Sequence, residues 1–188
     1  MDARKIILGI IAGMMLMPLA ASAESNSSRL NKERLEVGRA LIEVTIGELP
    51  SVIPYYTYDI EYHDPIVDIY GIDDMTEFLF RLFGSTPDLI TTVEDEIAID
   101  GMYTATWTMK GTFATDPDIP GVPYEAKGMS IIKFHDKSTK VYYQRDYYTE
   151  GDIMAVIPGL DAAINGFRIY YLCAVDPNFE CPLPPPSE

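Results

Sequence analysis

Histidine and cysteine are scarce in this chain, with two of each among 188 residues, and there is a single tryptophan. With only His63, His135, Cys173 and Cys181 to supply imidazole and thiolate, a zinc site of the usual Cys/His kind is not expected, and no metal is assigned. A Walker loop, a dinucleotide fingerprint and a GxSxG elbow are all missing, so the sequence points to no nucleotide or other cofactor. Basic residues are also short, at 14 Lys and Arg against 29 Asp and Glu, a formal net charge of −15. Such a surface repels phosphate backbones and anionic lipid, which argues against nucleic acid and membrane surfaces as partners.

Long hydrophobic runs are missing too, with one exception at the start. Arg4 and Lys5 precede an apolar stretch from Ile6 to Ala20, and Ala21-Ser22-Ala23 has the small-x-small pattern of a signal-peptidase site. The stretch falls short of the ~20 apolar residues a spanning helix needs. Residues 1–23 are therefore expected to be a signal peptide, and the mature protein to be exported, periplasmic or secreted. Losing Asp2, Arg4 and Lys5 takes the net charge from −15 to −16. Cys173 and Cys181, eight positions apart around Pro177, are expected to close a small loop in an oxidising compartment. One domain is expected over residues 24–176, followed by a Pro-rich tail at 177–188.

The rest of the chain changes period halfway. Ser27 or Ser28 can cap a helix running to about Leu49, with Pro50 and Pro54 ending it. Residues 53–58 read as a short helix or turn, and Ile60 to His63 as extended. A second helix starts after Gly71, with Met75, Phe78, Leu79, Leu82 and Phe83 on its apolar face and Gly84 as its stop. Four alternating segments follow, at about 89–99, 102–115, 127–135 and 140–149. Asp100-Gly101 is a tight hairpin turn between the first two. Helices first and antiparallel strands afterwards indicate an α+β domain with its sheet wrapped around the helices. Residues 161–171 read as a short helix at the mouth or partly as a further strand.

The last strand, Val141 to Tyr148, is the most suggestive stretch. Simple alternation places Tyr142, Gln144, Asp146 and Tyr148 on one face, and Val141, Tyr143, Arg145 and Tyr147 on the other. A carboxyl among tyrosines serves either as a raised-pKa acid/base or as an ordinary hydrogen-bonded or ion-paired Asp; periodicity does not choose.

Several phrases in this order resemble the NTF2-like superfamily, and within it the SnoaL-like polyketide cyclase branch. They are Tyr62-His63-Asp64-Pro65, Gly71-Ile72-Asp73-Asp74-Met75, Pro87-Asp88-Leu89, Ala105 to Thr112, Gly121-Val122-Pro123 and Arg145-Asp146-Tyr147-Tyr148. The resemblance implies a cone: a strongly curved antiparallel sheet and a few helices around an apolar pocket that takes a small, mostly apolar ligand. It places Asp146 at the acid/base aspartate of the cyclases. Asp64 falls where ketosteroid isomerases carry their proton-shuttling Asp, and Ser130 where those enzymes carry a second, protonated one. Asp64 before Pro65 is equally a local turn-former, and His63 is either a partner to a carboxylate or an edge residue. Related epoxide hydrolases use an Arg-x-Asp pair to activate water, and here Trp107 and Met109 occupy those positions, which disfavours that mechanism. Phe113 follows Gly111-Thr112 where cyclases often have a His. Trp107, Met109, Tyr103, Ile132 and Phe134 are candidate pocket-liners or ordinary core, with Tyr56, Tyr142 and Tyr148 as further ligand contacts. Domains of this family often pair as homodimers through the open sheet face, and Val141, Tyr143 and Tyr147 are candidates for that surface. The resemblance implies a cofactor-free cyclase, isomerase or dehydratase; the alternative is a non-catalytic ligand-binding or dimeric module.

Overall fold

The computed structural model describes residues 26–113, 121–157, 159–175 and 178–182. The expected signal peptide and most of the Pro-rich tail lie outside them. Helix α1 (Asn26–Ile42) buries Arg34, Val37, Gly38, Leu41 and Ile42, the i, i+3, i+4, i+7, i+8 stripe of a helix packed on one side. It ends seven residues before the expected Leu49. Val44, Thr45 and Ile46 form a β-branched run that favours extended backbone. Thr45 is extended (φ −109°, ψ 166°), and its N–H and hydroxyl both donate to Glu48 Oε2, at 3.1 and 2.7 Å. The chain then turns through a 3₁₀ segment (Ile46–Glu48), the short α2 (Leu49–Val52) and a second 3₁₀ segment (Ile53–Tyr55). Pro50 sits in the first turn of α2, where its missing N–H costs nothing, so it begins a helix instead of ending one.

The sheet has six strands in the order β2-β1-β6-β5-β4-β3. They are β1 (Tyr56–His63), β2 (Asp68–Tyr70), β3 (Ile90–Ile99), β4 (Met102–Phe113), β5 (Val122–Phe134) and β6 (Val141–Tyr148). The sheet is curved and unclosed, and every pairing is antiparallel except that of β1 with β6, which is parallel. The hairpin turn is as expected: Asp100 and Gly101 both take positive φ, 49° and 81°, matching the right-handed twist of the flanking strands. Helix α3 (Ile72–Ser85) lays Met75, Leu79 and Phe83 on the sheet.

Two polar anchors fix α1 across the concave face. The buried Arg34 guanidinium donates to the carbonyls of His135 and Ser138 at 2.8 and 2.9 Å, gripping the β5–β6 turn. Glu43 Oε1 accepts from the backbone N–H of Val93 at 2.8 Å, where the β3–β4 register slips between Val93 and Asp95.

Simple alternation fails at the start of β6. Lys133 pairs with Tyr143 but Phe134 pairs with Val141, so Tyr142 is an extra, bulged residue. Val141 and Gln144 therefore both face inward, at 0% and 4% exposure. Tyr142 leaves the inner face and packs on the His135 ring, centroids 4.9 Å apart. This corrects two expectations: Tyr142 is not on the face of Asp146, and Val141 belongs to the core and not to the outer surface.

Beyond the sheet lie α4 (Glu150–Met154) and α5 (Asp161–Val175), the latter a helix throughout. Arg168 on α5 pairs with Asp152 on α4 at 2.5 Å, and a Cys173–Cys181 disulfide closes the end of α5.

A Cβ on Gly38 would fall 2.4–2.6 Å from three atoms of the Tyr103 ring, so α1 approaches β4 only because this residue has no side chain. Gly38→Ala gains up to ~1 kcal/mol in helix propensity, but overpacking costs ~1–3 kcal/mol. The net result expected in chemical denaturation is a lower midpoint with unchanged slope; a stabilised variant would show that α1 packs less closely.

Candidate active site

A cavity of about 290 Å³ opens between the concave sheet and α3. Helix α3 supplies an apolar wall through Met75, Phe78 and Leu79, and β4 supplies Trp107 and Met109. Ile153 of α4 lines the cavity, so α4 and not α5 stands at its edge. Trp107 lies flat across Gly128 of β5, where a Cβ would come within 2.3 Å of the indole. That glycine is a requirement of close approach, not of backbone conformation.

The polar groups converge on Asp146. Its Oδ1 accepts from the Ser130 hydroxyl at 2.6 Å and its Oδ2 from the Tyr62 hydroxyl at 2.9 Å, while the Gln144 amide donates to both oxygens at 3.2 and 3.3 Å. Each donor is itself oriented. The Trp107 indole N–H can only donate, and it does so to Ser130 Oγ at 2.8 Å, so the serine proton is directed to Asp146. The Tyr56 hydroxyl donates to Gln144 Oε1 at 2.9 Å and thereby turns the amide nitrogen toward the carboxyl. Ser130 is fully buried, and its alignment with Asp146 follows from the direct β5–β6 pairing of these two residues. Tyr62 arrives by the parallel pairing of β1 with β6, in which it stands beside Gln144.

Burial pushes the Asp146 carboxyl up to about 6 from its ordinary 3.8, although the three hydrogen bonds pull the other way; the nearby Asp64 adds a smaller upward push. Tyr62 is raised well above the ordinary phenol range, by burial first and by the two carboxylates next, and Tyr56 and Tyr148 are raised chiefly by burial. These phenols are hydrogen-bond donors, not proton donors, near neutral pH.

The candidate residues divide in three. Asp146, Asp64, Trp107, Met109, Ser130, Tyr56 and Tyr148 all line the cavity. Asp64 is the expected turn-former and also reaches the cavity: Oδ1 accepts the N–H groups of Ile66 and Val67 at 2.7 Å, while Oδ2 accepts from the Tyr148 hydroxyl at 3.3 Å and lies 3.3 Å from the Tyr62 hydroxyl. Tyr103, Ile132 and Phe134 share the inner face but lie in the core beside the cavity, and the Tyr103 hydroxyl donates to Glu96 at 2.9 Å. His63 is a partner to a carboxylate, as one of its two readings has it, but away from the cavity. Strand alternation turns it away from its neighbour Tyr62, onto the face where Tyr70 and Tyr143 flank it, and its Nδ1 lies 2.5 Å from Asp68 Oδ1. Tyr142 leaves the site through the bulge. The Phe113 side chain lies outside the described residues.

Two site residues were not singled out from the sequence. Gln144 had its signal, standing two positions from Asp146 on one strand face. Local sequence does not separate Tyr62 from Tyr55, Tyr56 and Tyr58, any of which could hydrogen-bond a ligand, because the pairing that selects it spans more than 80 residues.

Ser130→Ala removes one donor from Asp146 and the acceptor from Trp107. Carboxyl NMR should show the Asp146 pKa rising further above about 6. An unchanged pKa would show that Ser130 contributes nothing to holding the charge. The orphaned indole N–H is expected to cost ~1–3 kcal/mol of stability.

Residues 40–142 match the SnoaL-like domain family, and the match ends four residues before Asp146. A comparison with curated proteins gives no match. Among solved structures the chain is similar to a phenazine biosynthesis-related protein from Pseudomonas aeruginosa, at 13% identity and a TM-score of 0.61, over 70% of this chain and 88% of that one. It is also similar to a SnoaL-like polyketide cyclase, so designated, from Jannaschia sp. CCS1, at 15% identity and a TM-score of 0.58, over 69% and 94% of the two chains. An epoxide hydrolase from M. tuberculosis of the limonene-epoxide-hydrolase-like kind aligns at 14% identity and a TM-score of 0.57, over 73% and 98%. At these identities the likeness is one of fold. The helix-lined, curved six-stranded sheet and the match over more than half of the sequence make this chain a member of the SnoaL-like domain family, with the NTF2-like fold.

Proposed function

We propose that this protein is a cofactor-free acid/base enzyme in which Asp146 moves a proton next to a carbonyl of a small, mostly apolar ligand, as in cyclisation, isomerisation or dehydration. The observation that carries the reading is one carboxyl held near pKa 6 by burial, at the wall of an apolar cavity. At pH 7 such a group is largely ionised yet keeps more proton affinity than an ordinary aspartate, which suits a general base. It takes the proton from the carbon beside the carbonyl. The Tyr148 hydroxyl, whose bond to Asp64 is long at 3.3 Å, is the donor that can turn to the oxygen on which charge develops. Asp146 then returns the proton, so the cycle needs no external oxidant or reductant. Trp107 and Met109, where related epoxide hydrolases place a water-activating pair, leave this site one working carboxyl in an apolar wall. Asp64 assists at the rim, while His63, facing away, has no part in it.

Exchange of the α-protons of small cyclic ketones in D2O reports this chemistry without knowledge of the natural substrate. The exchange rate per enzyme should rise through a pKa of about 6. Asp146→Asn should lower it by ~10²–10⁴-fold with the fold intact. Exchange that is slow in the wild type and unaffected by the substitution would favour a binding module instead. The engagement of both Asp146 oxygens by neutral donors is the feature that would serve such a module.

Export and pairing belong to the same proposal. The positive start, apolar stretch and Ala21-Ser22-Ala23 support cleavage before Glu24, and the Cys173–Cys181 disulfide suits an oxidising compartment. On the outer sheet face, paired rows bring together Ile97, Thr104, Ile131 and Arg145, then Ile99, Met102, Lys133 and Tyr143, with Met129 beside Tyr147. Ile97, Ile99, Met102 and Tyr147 are exposed there, an apolar surface that a second copy would cover. The protein collected after export should have a mass beginning at Glu24 and sediment as a dimer, and Ile97→Glu should convert it to a monomer. An uncleaved product or a monomeric wild type would refute the corresponding half.

A further inference from the structure

The cavity carries charge of one sign only. Asp146 and Asp64 both reach it, and the single hydroxyl of Tyr62 stands between them at 2.9 and 3.3 Å. One hydroxyl has one proton, so it can donate to only one of the two carboxylates at a time. The other polar groups facing Asp146 are neutral: Tyr56 from β1, Ser130 from β5, and Gln144 and Tyr148 from β6. Trp107 faces it from β4, and α3 presents Phe78 and other apolar side chains. Among the described residues that line the cavity there is no Lys, Arg or His. The basic residues of the neighbouring strands are elsewhere: Arg145 lies over the Tyr147 ring at 5.2 Å and Lys133 over Tyr143 at 4.4 Å, both on the outer face.

Aromatic rings stand among the aliphatic side chains of the remaining walls. Tyr62 and Phe78 stand with ring centroids 5.3 Å apart, and Trp107 and Tyr148 with centroids 6.3 Å apart, so two ring pairs flank the carboxylates. A negatively charged ligand would meet two carboxylates, π faces and no cation. A neutral ligand would leave both charges without a counter-ion in an apolar space. A cation gains from both features, by charge-assisted hydrogen bonds to a carboxylate and by attraction to ring faces.

We propose that the ligand of this cavity carries a protonated amine on its small apolar body, with the ammonium seated between Asp146 and Asp64 and against the Trp107 and Tyr148 rings. The inference rests on the reading of this cavity as the ligand site, and it names the charge that the site selects. Protons compete for the same place. As pH falls through about 6, Asp146 takes up a proton and the hold on the ammonium weakens. Asp64 and the phenols Tyr56, Tyr62, Tyr148 and Tyr124 are the other titratable groups that line the cavity.

The only tryptophan of the sequence, Trp107, lines the cavity, so its fluorescence reports occupancy directly. The probes are 2-phenylethylamine, 2-phenylethanol and phenylacetate, which share an apolar body and differ in charge. At pH 8 the amine should bind about 10- to 100-fold more tightly than the alcohol, the ratio expected when a charge-assisted hydrogen bond replaces a neutral one. Phenylacetate should not bind. The preference should shrink at pH 5, and Asp146→Asn or Asp64→Asn should each reduce the ratio of amine to alcohol affinity. Alcohol binding with no preference for the amine, or phenylacetate binding as well as the amine, would overturn the charge assignment and leave the cavity as a ligand site. Failure of all three probes in the wild type would overturn the charge assignment and the ligand-site reading together.

Discussion

The burial of one carboxyl conditions the rest of this structure. Asp146 sits where its charge is disfavoured, and its neighbours do not cancel that cost with an opposite charge; they offer three neutral donors. Its pKa is therefore higher in the folded chain than in the unfolded one. The folded state then binds more protons than the unfolded state between about pH 4 and 6, so stability contributed at this group is present below the unfolded pKa and falls as pH rises through that window. A purely structural carboxylate normally works in the other direction, with a lowered pKa that stabilises the native state at neutral pH. The fold carries a charge at a net expense, which is the usual mark of a group kept for chemistry or for a ligand.

Holding such a group requires every donor to be aimed. Ser130 is fixed from one side by Trp107, and Gln144 by Tyr56. Trp107 is in turn fixed by the open space over Gly128. Tyr62 comes from β1, and it reaches the site because β1 runs parallel to β6 at the sheet's centre. The four-strand antiparallel unit alone would present Asp146 with Ser130 and Gln144 but without the Tyr62 hydroxyl. The segment from Ile46 to Tyr56, with its successive short turns, brings the chain from the end of α1 to the start of that parallel strand. What reads as an untidy connection is a condition for the site.

Much of this was legible from local chemistry. Helix α3, the Asp100-Gly101 hairpin and the long strands follow from period and turn type, and the position of Asp146 on an inner face follows from alternation once register is settled. The failures share a cause. Tyr142 was placed by strict alternation, and one bulged residue reverses the faces of everything before it while leaving Gln144, Asp146 and Tyr148 in phase. His63 sits between two site residues, yet neighbours on a strand point to opposite faces, so adjacency in the sequence excludes it. The end of α1 was hidden because a Thr–Glu side-chain contact three residues apart favours a new turn as readily as it prolongs a helix. Long-range pairing selects Tyr62 among similar tyrosines, and no local pattern encodes that choice.

Membership of the SnoaL-like family fixes the cone and leaves the reaction open, because the cone positions inner-face residues without prescribing their charge. The inner face of β4 shows how that freedom is used. Trp107 and Met109 make its part of the cavity apolar, which removes water as a reactant held by charged groups and also removes any cation that could share the load on Asp146. Among the described residues that line the cavity no cation stands against the Asp146 carboxyl, so burial dominates its proton affinity. Both proposals rest on that one feature: a base beside a carbonyl draws on the raised proton affinity of Asp146, and a cationic ligand on the uncompensated negative charge.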